Sequence, residues 1–231
     1  MAKAKIPEPA KPKRSRRLTI LVSSAVYGYE DMLESIYALL DGFGYQVLMS
    51  HKGTVPVDPD QSAMDSCLQA VAQCDLFLGL ILPWYGTGKE TASSLSITHR
   101  EMIASIAANK PRWFLVHEHV AIARHVLNPY RVRDEGGKPR SPFELQPGLT
   151  FQRTPILSDL RVIDMLELAM RHDIPEVKDR RGNWVQSFGP EDDARLFATA
   201  QFRRYHELAE KQLPKLKDSD QIAALLKGGE A

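Results

Sequence analysis

The run DLFLGLIL, residues 75–82, constrains this chain more than any other stretch. After its opening aspartate it is apolar throughout, without the alternation of a strand wetted on one face, so it reads as a strand covered on both sides. Two shorter runs, LTILV at 18–22 and WFLV at 113–116, have the same character, and YQVLMS at 45–50 offers another short strand. Between them the apolar residues recur at helical spacing: Met32, Leu33, Ile36, Leu39 and Leu40, then Met64, Cys67, Leu68 and Val71. Strands that alternate with helices predict a mainly parallel sheet with helices on both faces. The expected fold is therefore an α/β, flavodoxin-like three-layer sandwich, followed by a C-terminal helical extension.

The rest of the chain is less regular. Residues 1–16 are basic and proline-rich and read as a disordered tail; residues 17–128 hold the α/β pattern. Residues 129–154 turn polar and rich in Pro and Gly, which predicts a long loop, either disordered or part of a binding surface. An extension over 155–214 starts with a helix near 159–171, continues through the turn-rich connection GNWVQSFGPEDD, and ends in a helix reaching about Leu213. Residues 215–231 form a charged tail.

Composition narrows the partners. A formal net charge of +1 gives no global pull toward nucleic acid, and no basic stripe interleaved with aromatics appears outside the N-terminal tail. No run approaches the roughly 18 apolar residues needed to cross a bilayer, and the N-terminus lacks the apolar segment of a secretory signal. A cytoplasmic protein without membrane or nucleic-acid partners is expected. Cys67 and Cys74, two turns apart on one helix, are too distant to bridge and read as small buried hydrophobes.

In an open parallel sheet with strand order 2-1-3-4-5, ligands bind beyond the carboxyl ends of the first and third strands, where the order reverses. That rule selects SSAVYGY (23–29) and PWYGTG (83–88), which carry Ser23, Ser24, Tyr27, Trp84, Tyr85 and Gly86. Hydroxyls, aromatics and glycines together suit a planar ring attached to a sugar or phosphate. The same serines would also cap a helix, and a Trp-Tyr pair often closes a core. GTGKET at 86–91 is not an ATP-type phosphate loop, because Pro83 and Glu90 occupy positions that the Walker pattern reserves for Gly and Ser/Thr. His117, His119 and His125 lack the spacing of a His-Glu-x-x-His zinc site, so no metal is expected.

Glu101 has two readings. Thr98 and Glu101 fit a capping box, in which the glutamate serves only the helix end. With Met102, Ile103 and Ile106 as the buried stripe, Glu101 would instead project toward solvent or the cleft. At a helix N-terminus it would stay ionised at neutral pH, as a nucleophile or a stabiliser of positive charge in glycosidic chemistry does.

LTILVSSAVYGYEDMLESIYALLDGFGYQVLM, CLQAVAQCDLFLGLILPWYG and SLSITHREMIASIAANKPRWFLV together resemble the bacterial domain-of-unknown-function 4062 family, over about residues 17–128. That group is TIR-like and related in fold to the nucleoside 2-deoxyribosyltransferases. The resemblance implies a TIR-like sandwich whose enzymatic members cleave N-glycosidic bonds of NAD or nucleosides with one glutamate near the start of this helix, here Glu101. It implies that Ser23, Ser24, Trp84 and Tyr85 border the nucleoside pocket, and Tyr27, Gly86, Ser96 and Thr98 are expected to contact substrate beside them. It implies no cofactor, NAD or a nucleotide being the substrate, and a setting in bacterial signalling or antiphage defence. The alternative expectation is a non-catalytic module that senses a nucleotide or assembles with itself or an effector protein. Phe197, Phe202, Tyr205 and Leu208 of the last helix would then supply an association surface, unless they pack on their own sheet.

Overall fold

Ile20 and Val22 of β1 (Thr19–Ser24) turn to one side of the sheet and Leu21 to the other, and all three are buried, as a strand covered on both faces requires. The computed structural model describes residues 17–204, apart from 89–90, 92–93 and 181, together with residue 207. Both tails, Tyr205, Leu208, the helical turns expected up to Leu213, and Lys89 and Glu90 of the GTGKET stretch lie outside the described residues.

Helix α1 (Glu30–Gly42) follows β1, then β2 (Gln46–Leu48), α2 (Ala63–Gln73), β3 (Leu76–Ile81), α3 (Ile97–Ala107) and β4 (Arg112–His117). After β4 come α4 (Glu118–Leu127), α5 (Arg161–Met170), β5 (Asn183–Phe188) and α6 (Glu191–Phe202). The five strands form one all-parallel sheet in the order β2-β1-β3-β4-β5. The three-layer α/β sandwich and the strand order read from the sequence both stand.

Two cores lie on opposite faces of this sheet. Ile20, Val22, Leu76, Leu78, Leu80 and Leu115 pack under α1 and α6, against Met32, Leu33, Ile36, Ala194, Ala198 and Phe202. Leu21, Phe77, Ile81, Phe114 and Val116 face α2, α3, α4 and α5. Each buried Leu, Ile or Phe contributes roughly 1.5–3 kcal/mol, so two continuous layers of them hold the sheet rigidly between the helices. Gly79 breaks the β3 run for a steric reason: a Cβ there would lie 2.7 Å from the Phe114 ring on β4.

The sequence reading needs correction at one point outside the site, and one of its two readings of the 129–154 segment is selected. GNWVQSFGPEDD is not a turn-rich connection. It contains β5, an edge strand whose Trp184 is 57% exposed and whose Gln186 and Ser187 also face solvent. An edge strand with a wetted surface carries no apolar run, so periodicity did not reveal it. The polar segment after α4 is also ordered: Arg131 pairs with Leu145 and Arg133 with Pro139 as antiparallel bridges. Arg131, 1% exposed, donates to Glu167 at 2.7 Å and lies over the Phe143 ring at 4.7 Å, which fastens this segment to α5.

On α6, Phe202 is fully buried against Trp113 and Tyr45, and Phe197 packs against the same core. Those two aromatics serve packing rather than an outward association surface. Cys67 and Cys74 are buried free thiols, as expected. Among the described residues no helix is long and apolar enough to cross a membrane.

Candidate functional site

The chain leaves β1 for α1 on one face of the sheet and leaves β3 for α3 on the other, so the two loops part at the carboxyl ends of β1 and β3. The cavity that opens there has a volume of about 960 Å³, the size of a nucleotide-scale ligand site. Seven of the residues selected from the sequence line it: Ser24, Tyr27, Trp84, Tyr85, Gly86, Thr98 and Glu101. Gly86 adopts φ +88°, and a Cβ there would approach Thr98 Oγ1 to 3.4 Å, so both its conformation and its position favour glycine.

Ser23 and Ser96 act from behind this surface. Ser96 is the N-cap of α3, its hydroxyl accepting from the backbone N–H of His99 at 3.3 Å. The capping-box reading of Thr98 and Glu101 is therefore wrong by two residues. Thr98 is the second residue of the helix, and Glu101 lies a turn beyond the cap. The expected apolar stripe is rotated as well. Thr98, Glu101, Met102 and Ser105 face inward at helical spacing, while Ile103 is exposed.

Glu101 consequently sits on the floor of the cleft and is only 5% exposed. Ser23, at the carboxyl end of β1, donates its hydroxyl to Glu101 Oε2 at 2.5 Å, and the Cys67 thiol of α2 donates to the same carboxyl group. Burial pushes this acid up to about 7, and the Ser23 and Cys67 donors only moderate the rise. The expectation of a fully ionised carboxylate at neutral pH is overturned: α3 directs Glu101 into the protein, away from the helix end whose dipole would have favoured the charge. Cys67 is itself pushed up to about 11, by burial first and then by Glu101, so it stays a thiol.

The aromatic wall is held from several sides. The Tyr85 backbone N–H donates to Ser158 Oγ at 2.9 Å, and its hydroxyl lies 2.9 Å from His99 Nδ1. Arg161 lies 4.4 Å above the Tyr85 ring. His99 is pushed down to about 4, chiefly by burial and secondly by Arg161, and is neutral at physiological pH. Trp84 meets Tyr27 edge to face at 4.9 Å and carries the Arg153 guanidinium 4.9 Å from its ring centroid. Cys67, Arg153, Ser158 and Asp159, all lining the cavity, were missed from the sequence. Cys67 belonged to a recognised helical stripe, and a Ser-Asp pair just before α5 was a visible capping signal, but only the tertiary fold brings either to the cleft.

Glu101, the partially wet aromatics and the hydroxyls can together hold a planar ring and a sugar and place a carboxyl group against the bond between them. Among the described residues, no group of three or more His, Cys, Asp or Glu side chains is arranged to hold a metal ion.

This is the architecture of an open α/β domain with an acid at its topological switch point. Residues 19–139 match the domain of unknown function DUF4062, and the chain belongs to that family. Among solved structures it is similar to the Clostridium botulinum CMP N-glycosidase BcmB, with 20% identity and a TM-score of 0.30 over 47% of this chain and 81% of that one. At that TM-score the likeness carries no weight for function. No curated protein matches the sequence.

Proposed function

We propose that this protein is a TIR-like nucleotide-processing domain that cleaves the N-glycosidic bond of NAD or a related nucleotide, with Glu101 as its reacting acid. The observation that supports this most is Glu101 itself: a buried carboxyl group, free of any ion pair among the described residues, at the floor of a nucleotide-sized cleft. In this reading Trp84, Tyr85 and Tyr27 enclose the base, while Ser24 and Thr98 meet the sugar. The bond from C1′ to the base nitrogen breaks with its electron pair leaving on the base. Ionised Glu101 faces the positive charge that grows on C1′. Water then adds to C1′; the proton it releases ends on the base anion that leaves AMP or CMP, and passes to solvent when neutral nicotinamide leaves NAD. The relation to the deoxyribosyltransferases, and a role in bacterial signalling or antiphage defence, rest on the resemblance in sequence.

The test is chromatographic detection of free base after the protein and its Glu101→Gln variant are incubated with NAD, AMP and CMP. Wild-type protein should release base, and the variant should be slower by at least about 100-fold. Because the ionised form acts, the rate should climb as pH rises through about 7 and level off above it. Equal release by the two proteins would remove Glu101 from the mechanism.

The two neutral donors on Glu101 also suit a second reading, in which the acid ties α3 to β1 in a nucleotide-sensing module. Nucleotide binding by both proteins without base release from either would select it.

A further inference from the structure

Four charged side chains among the described residues line the cleft: Glu30, Glu101, Arg153 and Asp159. Three of them are engaged. Glu101 takes the Ser23 and Cys67 donors. Asp159 receives Arg161 in a two-point pairing, Nε to Oδ1 at 2.9 Å and Nη2 to Oδ2 at 2.5 Å. Glu30, in the first turn of α1, is held below the usual carboxylate range by backbone N–H groups of its own turn, so it remains an anion at that part of the rim.

Arg153 differs. It forms no ion pair with any described residue; its guanidinium lies over Trp84, within the cavity lining. A guanidinium is charged at every physiological pH and presents a planar fork that meets two oxygens of one phosphate group. Glu30 repels an anion from the α1 side of the rim, and the Asp159 charge is already balanced. The place for a ligand's negative charge is therefore beside Arg153.

Resting on the nucleotide reading above, we infer that Arg153 is a specificity-determining residue that pairs with a phosphate of the ligand, so that the cleft selects phosphorylated nucleosides over free ones. The residue lies beyond the span 19–139 that matches the family, on the segment that closes the cleft from the α5 side. Arg153 is exposed, so its pairing with phosphate should weaken as ionic strength rises.

Calorimetric titration of AMP, adenosine, CMP and cytidine into the full-length protein and its Arg153→Met and Arg153→Lys variants tests this. Methionine keeps an apolar stem against Trp84 and removes the charge. Wild-type protein should prefer each monophosphate to its nucleoside by about tenfold. Arg153→Met should abolish that preference and change nucleoside affinity by less than about twofold, while Arg153→Lys should keep part of it. Equal affinity of wild-type protein for nucleotide and nucleoside, survival of the preference in Arg153→Met, or no binding of any of the four compounds would overturn the inference. The glycosidase reading fails separately. An Arg153-dependent preference without base release refutes the chemistry and keeps the selection, whereas base release at equal kcat/KM from nucleosides and nucleotides does the reverse.

Discussion

Glu101 and Arg131 are both buried ionisable side chains, each within a single turn of a helix or bridge that fixes it, and they are treated oppositely by their surroundings. Arg131 has its charge answered on every side: Glu167 at 2.7 Å, the Arg140 carbonyl at 2.8 Å, and the Phe143 ring. Arg124 shares the same Glu167 oxygen at 3.1 Å. Glu101 receives two neutral donors and no cation, and its pKa rises to about 7. A paired charge fastens a segment, whereas an unpaired acid in a cleft is ready to exchange a proton.

The comparison can be broken at its structural end first. Arg131→Ala leaves Glu167 with Arg124 alone and the Arg140 carbonyl without its donor, which should cost about 3 kcal/mol, read as a lower denaturant midpoint at unchanged slope. A loss no larger than that of an exposed arginine would show that the polar segment is held by other contacts.

The next largest effect concerns Glu101 and has a sign that depends on pH. Its folded pKa lies above the usual 4.5, so the folded protein holds the proton more tightly than the unfolded chain. Stability is therefore lost as pH rises from 4.5 through about 7 and stays lost above it. Glu101→Gln cannot ionise, so its stability relative to wild type should improve between pH 4.5 and 8. A rise from 4.5 to about 7, at about 1.4 kcal/mol per pH unit, sets an upper bound of roughly 3 to 4 kcal/mol, and water at the cleft end brings it to on the order of 2 kcal/mol. Denaturation midpoints of both proteins at the two pH values supply the comparison; a pH-independent difference would mean that Glu101 holds its proton no more tightly in the folded protein than in the unfolded chain.

The smallest effect sharpens the contrast within the cleft. Ser23→Ala removes a donor that favours the ionised form, so the acid limb of base release should move to higher pH by up to about one unit. A limb that stays in place would show that another group titrates.

Much of this arrangement was legible in the sequence. β1 and β3 announced themselves because strands covered on both faces must be apolar at consecutive positions, and their order then located the cleft without any motif. β5 was not legible, since Gln186 and Ser187 on an edge strand have no reason to be apolar. Glu101 was singled out by its place near a helix start and then by a resemblance, while its local environment was misread. Apolar periodicity pointed to Ile103, yet α3 turns Thr98, Glu101 and Ser105 inward. A helix that buries its polar face and exposes an isoleucine departs from the usual pattern where a site demands it. Arg153 and Ser158 lie more than fifty residues from Glu101 in the chain, and no local pattern can signal a contact made only when β3 and α5 come together.

The hydrogen bonds between Ser158 and the β3 loop, its hydroxyl accepting from the Tyr85 backbone N–H and its own backbone N–H donating to the Pro83 carbonyl, join a stretch inside the family match to one outside it. The acid and its donors belong to the stretch that defines the family, and the opposite bank of the cleft comes from outside it. Substitutions in the outer bank can therefore retune what enters while the acid and its donors stay as they are.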